Sequence, residues 1–213
     1  MSIKLTYFMQ KLFNIEQTDI SVISHKHLLH LSFASWLTLA LPKIIEQVTL
    51  ENNEFEVRVK KEYVREFLSF VKDHSWLQYK IVSDIIGTDY PGKRDRFEIT
   101  YQLLSLKYNS RINVVVNTDE LSAVPSATST YSGTAWYERE VFDLFGIIFK
   151  EHPDLRRILT DYSFEGHPLR KDFPLTGYFE VFYDDTKKRI VYEPVSLVQE
   201  YRYFTFMNPW LSN

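Results

Sequence analysis

The 213-residue chain contains no cysteine. That absence excludes disulfides, thiolate zinc sites, Cys-ligated iron–sulfur clusters and a cysteine nucleophile on this chain. A long apolar run is missing too. The most hydrophobic stretch, Leu28–Leu41 (LLHLSFASWLTLAL), is 14 residues long and includes a His, two Ser and a Thr. A membrane-spanning helix needs about 20 residues, so this stretch is expected to be a buried helix without a membrane span. No single sign of charge dominates. The formal net charge is -3, which supplies no field for nucleic acid or anionic lipid. Met1–Glu16 has neither an Arg nor a small-residue cleavage site. It matches a secretory signal or an Arg-rich transit peptide poorly, which for a protein of an organelle favours synthesis inside it. The chain has no G-x-G-x-x-G or P-loop, no G-x-S-x-G elbow, no H-E-x-x-H, no internal repeat and no low-complexity tract.

What is present is the composition of an ordinary globular protein, 45% hydrophobic and 25% charged. Residues 1–24 carry little pattern. Residues 34–47 predict a helix, kinked or started at Pro42. Phe55, Val57 and Val59 alternate with Glu56, Arg58 and Lys60, a strand with one buried face. Lys61–His74 switches to helical spacing, with Tyr63, Val64, Phe67, Leu68 and Val71 in one stripe. Three strand-like runs follow, Leu77–Asp89, Arg96–Leu106 and one around Ile112, Val114 and Val116. Turns at 91–96 and 108–110 separate them. The parity change at Leu104 and Leu106 suggests a bulge. Such short connections favour an antiparallel meander. Asp119–Gly133 is small and polar, and reads as a loop. The expected class is α+β: a small mixed or antiparallel sheet with helices on one face, followed by a long extended C-terminal tail. The expected division is a globular domain over residues 1–150 and an interaction tail over 151–213.

The stretch from Trp136 to Tyr183 organises the chain. Tyr137–Phe149 predicts an amphipathic helix with Tyr137, Val141, Leu144, Phe145 and Ile148 on one face, and Arg139, Glu140 and Asp143 opposite. Glu138 breaks the pattern by projecting among the apolar side chains. A carboxylate there needs a partner, and Arg156, Arg157 or an Arg of another subunit are the candidates. Beyond Phe149 the periodicity stops. Five of the eight prolines fall after residue 150, and residues 160–213 hold 13 aromatics in 54 positions, 24% against 16% overall. Disordered segments are poor in aromatics. Fully extended, this tail reaches at most roughly 180 Å, while a 150-residue domain has a radius of gyration of about 15 Å. The tail is therefore long enough to leave its own domain and carry aromatic anchors to a partner.

Several polar constellations invite a catalytic reading. Glu138, Glu140, Asp143, His152, Asp154 and His167 assemble on paper into a carboxylate–His metal site, but no compact ligand spacing supports it. A salt-bridged network with Arg139, Arg156, Arg157, Arg170 and Lys171 explains the same residues. His25, His27 and His30 spell H-x-H-x-x-H on an apolar segment, where half-buried histidines are the simpler reading. Ser163, His167 and Asp172 have triad composition without an elbow or an oxyanion loop. The basic residues alternate with Asp154, Asp161, Glu165 and Asp172, which cancels any phosphate-binding field.

The residues of this block also carry a resemblance. Glu138-Arg139-Glu140, Asp143, Phe145-Gly146, the run His152–Tyr162 (HPDLRRILTDY) and the run Phe164–Pro174 (FEGHPLRKDFP) closely resemble the thirty-kilodalton subunit of respiratory complex I. His74–Leu77, Asp89-Tyr90-Pro91 and Glu200–Phe204 extend the likeness over roughly residues 54–210. The resemblance implies a non-redox structural and assembly subunit of the peripheral arm of a proton-pumping NADH:quinone oxidoreductase. It implies no catalytic, cofactor or metal residue on this chain, with FMN, iron–sulfur clusters and quinone held by partner subunits. The implied partners are the forty-nine-kilodalton quinone-site subunit, the subunit with the terminal iron–sulfur cluster and other peripheral-arm subunits. The implied location is the matrix side of the mitochondrial inner membrane or the cytoplasmic face of a bacterial one. Glu138, Arg139, Glu140, Asp143, His152, Asp154, Arg156, Arg157, Asp161, Glu165, His167, Arg170, Lys171, Asp172 and Phe173 are the motif residues expected at subunit interfaces. Three positions depart from the family pattern. Ser163 stands where Gly is usual, Phe142 where Trp or Tyr is usual, and Phe182 where Arg is common. A related membrane hydrogenase or plastid-type complex, and an independent metalloenzyme, remain as alternative readings.

Overall fold

The computed structural model describes residues 25–51 and 54–204, with side chains over 33–50 and 54–204. The chain forms two compact units, residues 1–171 and residues 172–213. Residues 151–171, grouped with the tail on sequence, lie in the first unit.

The first unit begins with helix α1 (His25–Ala40). The helix expected over 34–47 instead lies before Pro42. Leu41 precedes that proline, and a residue before proline is pushed out of the helical region, so the helix stops and a turn follows. Residues 45–51 then form strand β1 (Ile45–Glu51). Ile45 and Val48 are buried, and the strand pairs antiparallel with β2 (Glu54–Val59) after a bulge between Ile45 and Gln47. That bulge breaks the alternation that would have revealed the strand. The histidines of the H-x-H-x-x-H segment have side chains outside the described residues.

A 3-10 turn (Lys61–Tyr63) leads into α2 (Val64–Asp73), which buries Val64, Phe67, Leu68 and Val71. Strands β3 (Ile81–Asp89), β4 (Phe97–Ser105) and β5 (Ser110–Thr118) follow as the expected meander. The five-stranded sheet has the order β1-β2-β5-β4-β3, and β2 lies parallel to β5. Phe97, Ile99, Tyr101 and Leu103 all point inward from β4 and are essentially inaccessible. The expected bulge at Leu104 is absent, since β4 pairs with β5 without interruption to Ser105↔Ser110. The irregularity sits on β3 instead, between Val82 and Asp84. Leu104 belongs to the outward face, and Leu106 is exposed beyond the strand end.

The expected loop 119–133 is shorter and more ordered than its composition suggests. It contains β6 (Val124–Pro125), which pairs parallel with β7 (Phe149–Lys150). Val124, Ser126, Ala127 and Tyr131 are buried. Between these strands lies α3 (Thr134–Phe145). It starts earlier and ends earlier than predicted. Gly146 adopts φ +78, the left-handed conformation that terminates helices and is nearly free of strain only for glycine. Ile148 is therefore outside the helix and half exposed, while Phe149 is buried. Helix α3 lies against β3 at Gly87, where an added Cβ would come within 2.8 Å of the Phe145 ring.

The second unit contains the hairpin β8 (Phe179–Asp184) and β9 (Arg189–Pro194). Neither strand has a fully buried residue.

Candidate functional site

Helix α3 carries two carboxylates that are both fully inaccessible, Glu138 and Asp143. They sit in different surroundings. Glu138 accepts the Ser126 hydroxyl at 2.6 Å on Oε2 and the Ala127 amide at 2.7 Å on Oε1. His152 Nε2 lies 3.9 Å from Oε2. The burial expected for Glu138 is therefore present, but its expected arginine partner is not found among the described residues. Arg156 pairs with exposed Asp154, and Arg157 turns to Asp143. The loop after β6 supplies a hydroxyl and an amide to the carboxylate, and both arginines are engaged by other carboxylates. Against these two donors burial dominates. It pushes the Glu138 carboxyl up to about 7, opposed by the pull of the Ser126 and Ala127 bonds.

Asp143, predicted on the polar face, is covered by the returning chain. Burial raises its carboxyl, but the Thr160 hydroxyl (2.5 Å) and the amides of Thr160 (2.9 Å), Leu159 (2.8 Å) and Ile158 (3.2 Å) together hold it below the usual range. Arg157 Nη1 adds a contact at 3.4 Å and bridges to Thr160 Oγ1 at 3.1 Å and the Gly166 carbonyl at 3.0 Å. Asp143 is the anchor on which 157–160 is wound.

The segment that follows caps the same helix. An α-helix leaves its last four carbonyls without intrahelical donors. Here Phe142 O accepts the Gly146 amide at 2.8 Å, and Asp143 O accepts His167 Nδ1–H at 2.8 Å. Leu144 O accepts the Leu169 amide at 3.1 Å, and Phe145 O accepts Arg170 Nε–H at 2.6 Å. The last turn of α3 contains no basic residue of its own. The guanidinium that complements its dipole comes from 25 residues downstream. Burial lowers the His167 pKa ahead of the opposing effect of its bond to Asp143 O, so the ring is neutral at pH 7. Gly146 is needed twice, because a Cβ there would fall 2.6 Å from both Arg170 and His167.

The segment is tied to the sheet at its far end. Buried Asp89 receives Arg96 at 2.7 and 2.8 Å and the Lys171 amide at 2.8 Å. The Arg96 bonds lower its carboxyl most, against burial. Arg96 also pairs with Glu120, and Arg170 lies 3.4 Å from the same Glu120 and 5.1 Å from the Phe97 ring centre. Asp89, Arg96, Ser126, Thr160 and Gly146 were not singled out as site residues on sequence. Asp89 had a signal, since it shares the inward parity of Ile85, the same mismatch that exposed Glu138.

The remaining motif residues are distributed as follows. Arg139 donates to the carbonyls of Arg156 (3.0 Å) and Arg157 (3.3 Å) and covers the exposed Trp136 ring at 5.1 Å. Glu140 is half-buried, and Asp161 and Glu165 are exposed. His152 accepts the Asp154 amide on Nδ1 at 3.1 Å. Lys171 contributes its backbone, while Asp172 lies exposed at the start of the second unit, and Phe173 stacks edge-on with Tyr178 at 5.5 Å. Among the described residues no group of three or more His, Asp or Glu is placed to hold a metal ion. His167 is committed to the Asp143 carbonyl and does not form the triad with Ser163 that composition allowed. Leu159, Tyr162 and Leu169 project outward from this tightly held segment. The arrangement is a densely hydrogen-bonded surface that presents apolar side chains.

Residues 57–179 match the family described as "Respiratory-chain NADH dehydrogenase, 30 Kd subunit", more than half of the chain. The chain belongs to this thirty-kilodalton subunit family of respiratory complex I. It is 51% identical over 179 residues to NADH-ubiquinone oxidoreductase subunit 9 of Prototheca wickerhamii, covering 84% of this chain and 93% of that one. It is 49% identical to an NADH-quinone oxidoreductase subunit of the bacterium Paramagnetospirillum magneticum, over 82% of this chain and 88% of the relative. A chain of the archaeal membrane-bound sulfane sulfur reductase, described as a respiratory membrane complex, shares the fold. Its TM-score is 0.56 at 24% identity, covering 68% of this chain and 86% of that chain. No helix among the described residues is long and apolar enough to cross a membrane. Of the departures from the family pattern, Ser163 is not at positive φ, so its side chain meets no left-handed strain. Phe142 stands edge-on to His167 at 6.4 Å, and Phe182 is exposed.

Proposed function

We propose that this chain is a structural and assembly subunit of the peripheral arm of a proton-pumping NADH:quinone oxidoreductase, and that it docks the forty-nine-kilodalton quinone-site subunit. On this reading it sits beside the subunit with the terminal iron–sulfur cluster, on the matrix side of a mitochondrial inner membrane. FMN, iron–sulfur clusters and quinone belong to partner subunits, and the chain has no active site of its own. The lack of cysteine supports a place outside the electron path. The division into a globular domain and an interaction tail is part of the same proposal, as is the interface role of the motif residues from Glu138 to Phe173.

One observation carries the reading. The β8–β9 hairpin exposes Phe179, Phe182, Tyr183, Ile190 and Tyr192, each more than 40% accessible. A two-stranded hairpin is marginal in water without a packed face. Aromatic side chains of this kind are the anchors of stable interfaces. The test is a chain ending at Lys171, expressed in place of the full one. The truncated chain should fail to enter the peripheral arm, and the full chain should co-purify with the quinone-site subunit. Normal assembly of the truncated form refutes the proposal.

A further inference from the structure

Glu138 is one of the motif residues of the proposed interface, yet its carboxyl is turned into the core. It is fully inaccessible and has no Lys or Arg within 4 Å among the described residues. The elements around it bring two titratable groups. From β4 comes Tyr101, whose hydroxyl is buried without a hydrogen-bond partner and stays neutral, because burial and then the charge of Glu138 raise its pKa well above the ordinary value. From the segment after β7 comes His152. The loop 126–128 brings only hydroxyls and amides. On α3 itself, Asp143 is saturated by residues 157–160, and Arg139 is spent on the Arg156 and Arg157 carbonyls.

His152 Nδ1 accepts the Asp154 amide at 3.1 Å, and its Nε2 faces the Ala135 carbonyl at 3.2 Å. A proton reaching Glu138 needs a route from solvent.

A path for it is present. Ser126 Oγ lies 2.6 Å from Glu138 Oε2 and 2.8 Å from Thr128 Oγ1, which is half-buried beside exposed Ser129. Hydroxyls both donate and accept. With Glu138 ionised, Thr128 donates to Ser126 and Ser126 to the carboxylate. A proton taken from water at Thr128 Oγ1 displaces the Thr128 proton to Ser126 and the Ser126 proton to Oε2. One O–H bond forms on Glu138, and both hydroxyls then point the other way. The net change is one proton moved from solvent to the carboxylate, and it needs no other reactant.

We propose that Glu138 is a proton-binding site of the subunit, loaded and emptied through the Ser126–Thr128 hydroxyl chain. The full-length chain, labelled with ¹³C at glutamate side-chain carboxyls, is titrated by NMR from pH 4 to 9. One carboxyl should titrate near pH 7, where burial pushes it. That signal should vanish in Glu138→Gln. If every glutamate titrates near the ordinary value of about 4.3, the proposal is overturned. Ser126→Ala provides a second reading that does not depend on the Gln variant folding. It removes a donor to the carboxylate, so the same signal should move further up and exchange its proton more slowly. An unmoved signal, or one moved down, refutes the hydroxyl chain.

Discussion

Glu138 and Asp143 stand on one helix, equally inaccessible, yet their acidities are driven in opposite directions. At the Glu138 end the surroundings are a short strand, a hydroxyl and one amide. At the Asp143 end the chain returns and lays three successive amides, a hydroxyl and a guanidinium on the carboxylate. Burial acts on both, and the number of donors decides the sign. The first carboxylate is left as a titratable group. The second is held below the ordinary carboxylate range with residues 157–160 folded around it, and the same turn of helix receives His167, Leu169 and Arg170 as caps. The raised carboxyl lies at one end of α3, and the segment wound on the lowered one at the other.

Removing the anion should produce the largest effect. Asp143→Ala leaves several half-buried donors and Arg157 without their buried acceptor, and losses of roughly 3–5 kcal/mol are typical of breaking such a cluster. Denaturant unfolding measures it. Amide exchange should rise across 157–171 more than across β4 and β5. A loss under about 1 kcal/mol, within the range of an exposed ion pair, would show that the segment holds itself in place. The Glu138 end should respond to pH in the opposite sense to Asp143. Glu138 has a raised folded pKa, so folding is most favoured while the group is protonated, and stability falls as pH rises from about 4.5 towards about 7. Relative to Glu138→Gln, the natural chain should lose on the order of 3 kcal/mol over that window. Asp143 and Asp89 have lowered folded pKa values, so their contribution is present above the ordinary carboxylate range and is lost as pH falls through the folded values. Parallel pH–stability curves for the natural chain and the Gln variant would remove the distinction between the two ends.

Gly146→Ala tests the boundary between the ends. The left-handed backbone alone costs about 1–2 kcal/mol for a residue with a Cβ. The contacts at 2.6 Å with Arg170 and His167 should add to it by displacing two caps. A change of less than about 0.5 kcal/mol, the ordinary range for surface sites, would mean that the caps are dispensable. Arg139→Ala should matter least. Its bonds to two carbonyls and its stack on exposed Trp136 lie at the surface, where such contacts contribute about 0.5–1 kcal/mol. Thermal unfolding checks the order of all four.

How much was legible varied with how local the cause was. The β2, α2 and β4 patterns follow from side-chain parity and helical stripes, and the structure keeps them. β1 was hidden because a bulge between Ile45 and Gln47 scrambled its alternation. The order within 119–133 was hidden because its short strand exists only through pairing with β7, on the far side of α3 in the chain. At the site, Glu138 and its burial were readable from one misplaced charge. Its partners were not, because a hydroxyl and an amide from a small polar loop leave no signature by which to prefer them to Arg156 or Arg157.

The sequence by itself determined the local pieces. These are the strands of the meander, the helix that Gly146 ends, the absence of thiol chemistry and a motif block long enough to identify the family. The tertiary structure alone decided which donors meet which carboxylate. Such meetings are set by where a chain without periodicity returns in space, over separations of 11 to 82 residues that no local pattern encodes. In a dry interior, where each unpaired donor or acceptor is costly, those meetings held one carboxyl below the ordinary range and left the other above it.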